Sequence, residues 1–145
     1  MPGVDLKNDL TKLDDIPTAS CDLFICSHVL EHIEKDRDAM KELLRILSPE
    51  GVGILIVPLS MMIPEIIEDS TKTSEKERWK YFGQGDHVRL YERKGFVQRL
   101  KESGFAVKIY ESRSQLSWYL RWKYQITPTS SLYLVTHPGL EIEFQ

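Results

Sequence analysis

Two short runs carry the side chains best suited to chemistry. Asp86-His87-Val88-Arg89 sets an imidazole beside a carboxylate and a guanidinium. With an ordinary pKa near ~6.5, His87 can take up a proton at neutral pH, and Asp86 or Arg89 can tune that affinity. The same segment also suits a hydrogen-bonded corner between Phe82 and Tyr91, its histidine capping backbone groups. The second run, His28-Val-Leu-Glu31-His32, matches H-x-x-E-H, a metallopeptidase pattern. That chemistry needs both histidines on one helical face, a third ligand downstream and Glu31 as general base. Here the run issues directly from an apolar strand, which puts His28 at a strand-to-loop junction. The sequence therefore assigns no metal ligand, and Glu31 and His32 read as a polar helix start, where negative charge is favoured.

The elements that must position these residues follow from period and punctuation. Asp22 to Ser27 is an apolar strand, and Glu34 to Leu47 is an amphipathic helix with Ala39, Leu43 and Ile46 or Leu47 on one face. A Ser48-Pro-Glu-Gly51 turn then leads to a second apolar run, Gly51 to Pro58. Strand, crossover helix and strand form a βαβ unit with parallel strands, half of a doubly wound α/β fold. Ligands in such sheets bind beyond the carboxyl ends of the strands, so Ser27, His28, Pro58 and Leu59 line the expected site. Ile54 to Val57 is continuously apolar, as for a strand buried on both faces. Glu92 to Ser103 reads as a helix with Phe96, Val97 and Leu100 inward, closed by Gly104. Val107 to Tyr110 and Leu132 to Thr136 read as strands, and Val4 to Leu6 as a short one. Met61 to Phe82 gives no clear period.

Three signatures in this order resemble class I S-adenosylmethionine-dependent methyltransferases of the type 11-like group. Asp9-Leu-Thr-Lys-Leu13 ahead of Cys21 to Ile33 is similar to that family's third strand end and fourth strand. Ala39 to Pro58 is similar to its next helix, turn and fifth strand, with Glu50 where the turn usually carries glycine. Phe82-Gly-Gln-Gly-Asp-His-Val-Arg-Leu-Tyr91, followed by Phe96 and Gly104-Phe105, resembles a later segment of a subset with varied substrates. The resemblance runs from about Asp5 to Thr136. It implies a partial Rossmann-like sheet, mostly parallel with the last strand antiparallel, with flanking helices and the first two strands absent. It also implies S-adenosylmethionine as cofactor. Asp9 would accept from the adenine amino group, with Leu10 against the ring, and Ser27 and His28 would lie near the transferred methyl. His87 would be the catalytic base, with Asp86 and Arg89 on the side of the acceptor, a small molecule, sugar or lipid.

In the family a Gly-rich loop after the first strand and an acidic end to the second hold the rest of the cofactor. No G-x-G-x-x-G-like run occurs in this sequence, which begins at Met1-Pro-Gly-Val-Asp5. Nothing else in the sequence offers that close backbone approach. The expectation is one truncated domain over residues 1–145 with an incomplete cofactor site, or a noncatalytic remnant serving as a binding or oligomerisation module. The usual strand order, 3-2-1-4-5-7-6, then leaves the Asp22–Ser27 strand with a bare edge. Such an edge recruits a partner: the chain's own Gly3–Asp9 segment, a second copy in a homodimer, or a complementing chain.

Composition narrows the remaining classes. With 145 residues, 41% hydrophobic and 28% charged, the chain can bury a modest core. A net charge of −3 argues against nucleic acid bound over a broad face. No apolar run approaches the roughly 18 residues of a membrane span, and the expected compartment is the cytoplasm. Cys21 and Cys26 sit on or beside a buried strand and read as reduced and structural. Arg113 to Tyr124 interleaves basic and aromatic residues, a mixture that can stack bases or meet lipid, and that more often covers a core with basic stems over apolar surface.

Overall fold

A computed structural model describes residues 6–127 and 129–140. Strand β1 (Cys21–Ser27) leads through a single 3-10 turn (Leu30–His32) into helix α1 (Asp36–Ile46), then strand β2 (Leu47–Ile56). Short strands β3 (Leu59–Ser60) and β4 (Ile67–Glu68) precede helix α2 (Glu75–Phe82) and strand β5 (Arg89–Glu92). Helix α3 (Arg93–Glu102) and strand β6 (Ala106–Glu111) follow. Two short helices, α4 (Ser112–Gln115) and α5 (Trp118–Lys123), come before the closing strand β7 (Ser131–Thr136).

The main sheet has the order β1-β2-β7-β6, with β1 and β2 parallel and β7 antiparallel to both neighbours. This is the last four-strand portion of the order expected from the resemblance. A small second sheet, β3-β5-β4, sits beyond the end of β2 and fixes the segment that carries His87.

Apolar periodicity places the core between one face of the main sheet and helices α1 and α3. Cys26, Leu55, Tyr133 and Val135 meet Met40, Leu43, Phe96 and Leu100 there. Phe24 lies over Gly53, where an added Cβ would fall 2.1 Å from the ring, so that close approach requires glycine. Gly104 adopts φ of 104° just beyond α3, a left-handed stop that a side chain would strain.

Several sequence expectations change. Ser48 to Gly51 is a bulge inside β2 instead of a turn: Cys21 pairs with Leu47 and Leu23 with Val52, so the loop out of α1 is absorbed into the strand. β2 is covered on one face only, because Gly53 and Leu55 are buried while Ile54 and Ile56 are not fully so. On that open face of β1, Leu23 and Ile25 are 59% and 65% exposed. Nor does the aromatic segment clothe the core: Trp118, Trp122 and Tyr124 are exposed, and Arg121 donates to the carbonyls of Ser112, Arg113 and Leu116. Met61 to Phe82 resolves into one short strand, β4, and α2, which opens with a Ser74–Glu77 capping box. Of the expected Val4–Leu6 strand, Val4 lies outside the described residues and Leu6 is exposed and irregular.

Candidate functional site

The carboxyl end of β1 opens the site. His28 donates its backbone N–H to Ile56 O at 2.9 Å, so the chain leaves both parallel strands at one level. His28 then turns with φ of 54°, a left-handed conformation that is uncommon outside glycine and that ends the strand abruptly. As the sequence implies, His28 sits at this junction, and Ser27 and His28 are both exposed at the strand tip.

After that turn the chain folds inward. Leu30 and Glu31 are fully buried, so Glu31 is no solvated helix start. Its carboxylate lies 3.3 Å from His28 Nδ1 and 3.9 Å from His32 Nε2. The segment before β5 closes over it: Val88 N donates to Glu31 O at 2.9 Å, and His32 Nδ1 meets Asp86 O at 3.3 Å and Asp86 Oδ2 at 3.4 Å. His87 is buried, its ring crossing that of His32 edge-on at 4.8 Å, with Nδ1 3.4 Å from Phe82 O. The Asp86 carboxyl is held below its ordinary range, mainly by the Gln84 amide and further by the two imidazoles. Cys26, on the neighbouring strand turn, has its thiol pushed up to about 12 by burial and by the Glu31 charge, so it stays protonated.

Two of the expected acceptor-side residues thus part company. Asp86 borders the histidine pair, whereas Arg89 turns inward and away from it. Its guanidinium, 3% exposed, donates to Leu30 O at 3.0 Å, to Glu34 O at 2.8 Å and to Ile33 O, and pairs with Glu68 at 3.1 Å. The reason is physical: alternation along β5 turns Arg89 and Tyr91 to the interior, where the carbonyls of and after the 3-10 turn need donors. Arg89, Arg99, Glu68 and Asp36 form one ionic network, with Arg99 2.6 Å from both carboxylates and Tyr91 donating to Asp36 at 2.7 Å. Burial first, then Asp36, drives the Tyr91 phenol well above its ordinary range. Sequence reasoning missed Glu31, His32 and this network. For the first two the H-x-x-E-H run was the available signal.

Asp9 takes up the turn role as well as any ligand role. Its Oδ1 accepts from Thr11 N at 2.9 Å and Thr11 Oγ1 at 2.8 Å, bonds that hold its carboxyl below the usual range. The charge of Lys35, just before α1, adds to this. Leu10 packs partly buried against the core. A groove of about 740 Å³ lies between the start of α1 and the β4–α2 segment, lined by Asp36, Glu68, Arg78, Arg89 and Arg99 among others. Of the residues expected from sequence, only Arg89 borders it, so this charged groove is separate from the strand tips.

Fold and site define a Rossmann-like α/β protein with its polar cluster at the strand tips. The profile of the methyltransferase domain family matches residues 2–108. The chain belongs to that family. No protein of curated function matches the sequence. Among solved structures, an S-adenosylmethionine-dependent methyltransferase from Mesorhizobium loti is 19% identical with a TM-score of 0.54, covering 88% of this chain and 66% of its own. A Haemonchus contortus phosphoethanolamine N-methyltransferase 2, solved with phosphomonomethylethanolamine and S-adenosylhomocysteine, is 14% identical at a TM-score of 0.57, covering 90% and 36%. A Haloferax volcanii chain described as a methyltransferase, in complex with the Trm112 methyltransferase activator, is 12% identical at 0.58, covering 92% and 61%. At such identities the likeness concerns the fold, and this chain spans two thirds or less of each of these relatives.

Proposed function

We propose that this domain contributes to S-adenosylmethionine-dependent methyl transfer to a small-molecule, sugar or lipid acceptor. The observation that carries the reading is that the chain just past the β1 tip, where His28 lies 3.3 Å from Glu31, brings His32 edge-on against His87, a residue more than fifty positions away. When bound, S-adenosylmethionine supplies a sulfonium-activated methyl group. Asp9 Oδ2 is available to accept from an adenine amino group, and Leu10 offers apolar contact to the ring. Ser27 and His28 face the region of the methyl, and His87 has the residue type to take the acceptor's proton, with Asp86 nearby. The described residues fit the adenine and methyl ends. They include no Gly-rich loop for the remainder of the cofactor, so a complete site needs further residues from the same or another polypeptide.

The free edge of β1 favours a second reading, a noncatalytic binding or oligomerisation module. Among the described residues β1 pairs only with β2, and Leu23 and Ile25 leave an apolar face open beside that edge. Calorimetric titration with S-adenosylhomocysteine separates the two. Affinity tighter than about 100 μM supports an assembled cofactor site, whereas no heat up to millimolar concentration overturns that reading for this chain. Size-exclusion chromatography tests the edge, since a lone monomer at every concentration removes the need for a covering strand. Among the described residues no helix is long and apolar enough to cross a membrane.

A further inference from the structure

We propose that Glu31, His32 and His87 bind a divalent transition-metal cation of the zinc class. Each offers one donor atom, and the three lie within 4.8 Å of one another. Zinc bonds of ~2.0–2.1 Å set tetrahedral donors roughly 3.4 Å apart, so the side chains close by about 1 Å around an ion.

Glu31 supplies an independent observation. Its side chain is 1% exposed, and among the described residues neither carboxylate oxygen accepts a hydrogen bond of proper geometry. A buried carboxylate without such partners is costly, and a cation satisfies it directly. The imidazoles are arranged to serve as ligands. His87 Nδ1 faces the Phe82 carbonyl and His32 Nδ1 faces the carbonyl and carboxylate of Asp86. A carbonyl oxygen can only accept, so each ring carries its hydrogen on Nδ1 and keeps the Nε2 lone pair. Metal-binding histidines are held by outer partners in this way. His32 Nε2 lies 3.9 Å from Glu31 Oε1.

Two imidazoles and one carboxylate select zinc, iron(II), cobalt(II) or nickel(II) over magnesium or calcium, which prefer all-oxygen shells. His28, 3.3 Å from Glu31 on the solvent side, is the neighbour best placed to add a fourth donor. The H-x-x-E-H run thus supplies ligands without forming an α-helix: its last two residues, in the 3-10 turn, meet a histidine from the segment just before β5. With an ion bound His87 keeps no lone pair to act as a base, so the ion would take over that task by polarising an acceptor oxygen at the β1 tip. That role rests on the methyl-transfer reading, whereas ion binding does not.

The test uses the full chain, stripped with chelator and titrated with cobalt(II) by calorimetry and visible absorption, with no nucleotide present. The expected result is one saturable equivalent with d–d bands and no thiolate charge-transfer band. Glu31→Gln and His87→Ala should weaken it at least ~100-fold, and Asp86→Asn, which removes an outer partner, ~10–100-fold. Cys21→Ala should leave it unchanged. No saturable binding overturns the proposal, as does affinity retained in Glu31→Gln and His87→Ala. Circular dichroism checks that the variants fold, and His32→Gln replaces either one that does not. Failure to bind S-adenosylhomocysteine would leave the metal result intact, so the two readings fail separately.

Discussion

Replacing Arg89 with alanine tests whether this residue belongs to the framework or to a ligand. The guanidinium donates to three main-chain carbonyls and pairs with Glu68, with Asp36 at 3.6 Å. Stripping one partner from a buried ionic network costs about 3–5 kcal/mol. Two features move this case to the low end. Arg99 remains 2.6 Å from both carboxylates, and only the Leu30 carbonyl is fully buried, with Tyr91 as a second donor at 3.4 Å. The expectation is a loss of about 3 kcal/mol by urea unfolding. For a chain of this length that lowers Tm by roughly 10 °C. Arg89→Lys keeps the charge and loses the planar fork, so about half the loss should remain. Destabilisation below about 0.5 kcal/mol in Arg89→Ala, with ligand binding abolished, would refute this account and return Arg89 to an acceptor-facing role.

Three further outcomes follow from the same contacts. Alkylation of the folded protein at about pH 8 should modify Cys21 and spare Cys26, whose thiol is pushed up to about 12, until urea exposes it; mass spectrometry showing both modified before unfolding would contradict this. Glu68 is held below its ordinary value of 4.5, chiefly by its hydrogen bond to Arg99, so its contribution is present above that pH and lost as the pH falls through its lowered folded value. The urea midpoint should therefore drop less on acidification in Glu68→Gln than in the parent, by a small margin because the side chain is 45% exposed. Gly53→Ala forces the Phe24 ring aside and should lower stability by about 1–3 kcal/mol, whereas an unchanged Tm would show that the ring moves freely.

Much of the frame is legible because it is local. The apolar run of β1, the one-sided face of α1 and the glycine stop after α3 each declare themselves within a dozen residues. What was missed depends on neighbours distant in sequence. Alternation and apolar content cannot say whether a second layer of helices covers β2, and here Leu23 and Ile25 stay open. The bulge at Ser48 to Gly51 looks like a turn because proline and glycine mark both. For the site, residue type suggests His87 and the strand tip, but the buried network around Arg89 was not legible because its partners lie 55 to 59 residues away. The burial of Glu31 is likewise set by the segment that closes over it.

The hydrogen bond from Val88 to Glu31, with the His32 contact to Asp86, spans 54 residues or more. Neither half of the histidine pair exists as a binding feature until that loop has closed, a slow, entropy-limited event compared with forming α1. Any binding by the proposed centre therefore depends on this long-range closure and not on the local helices alone.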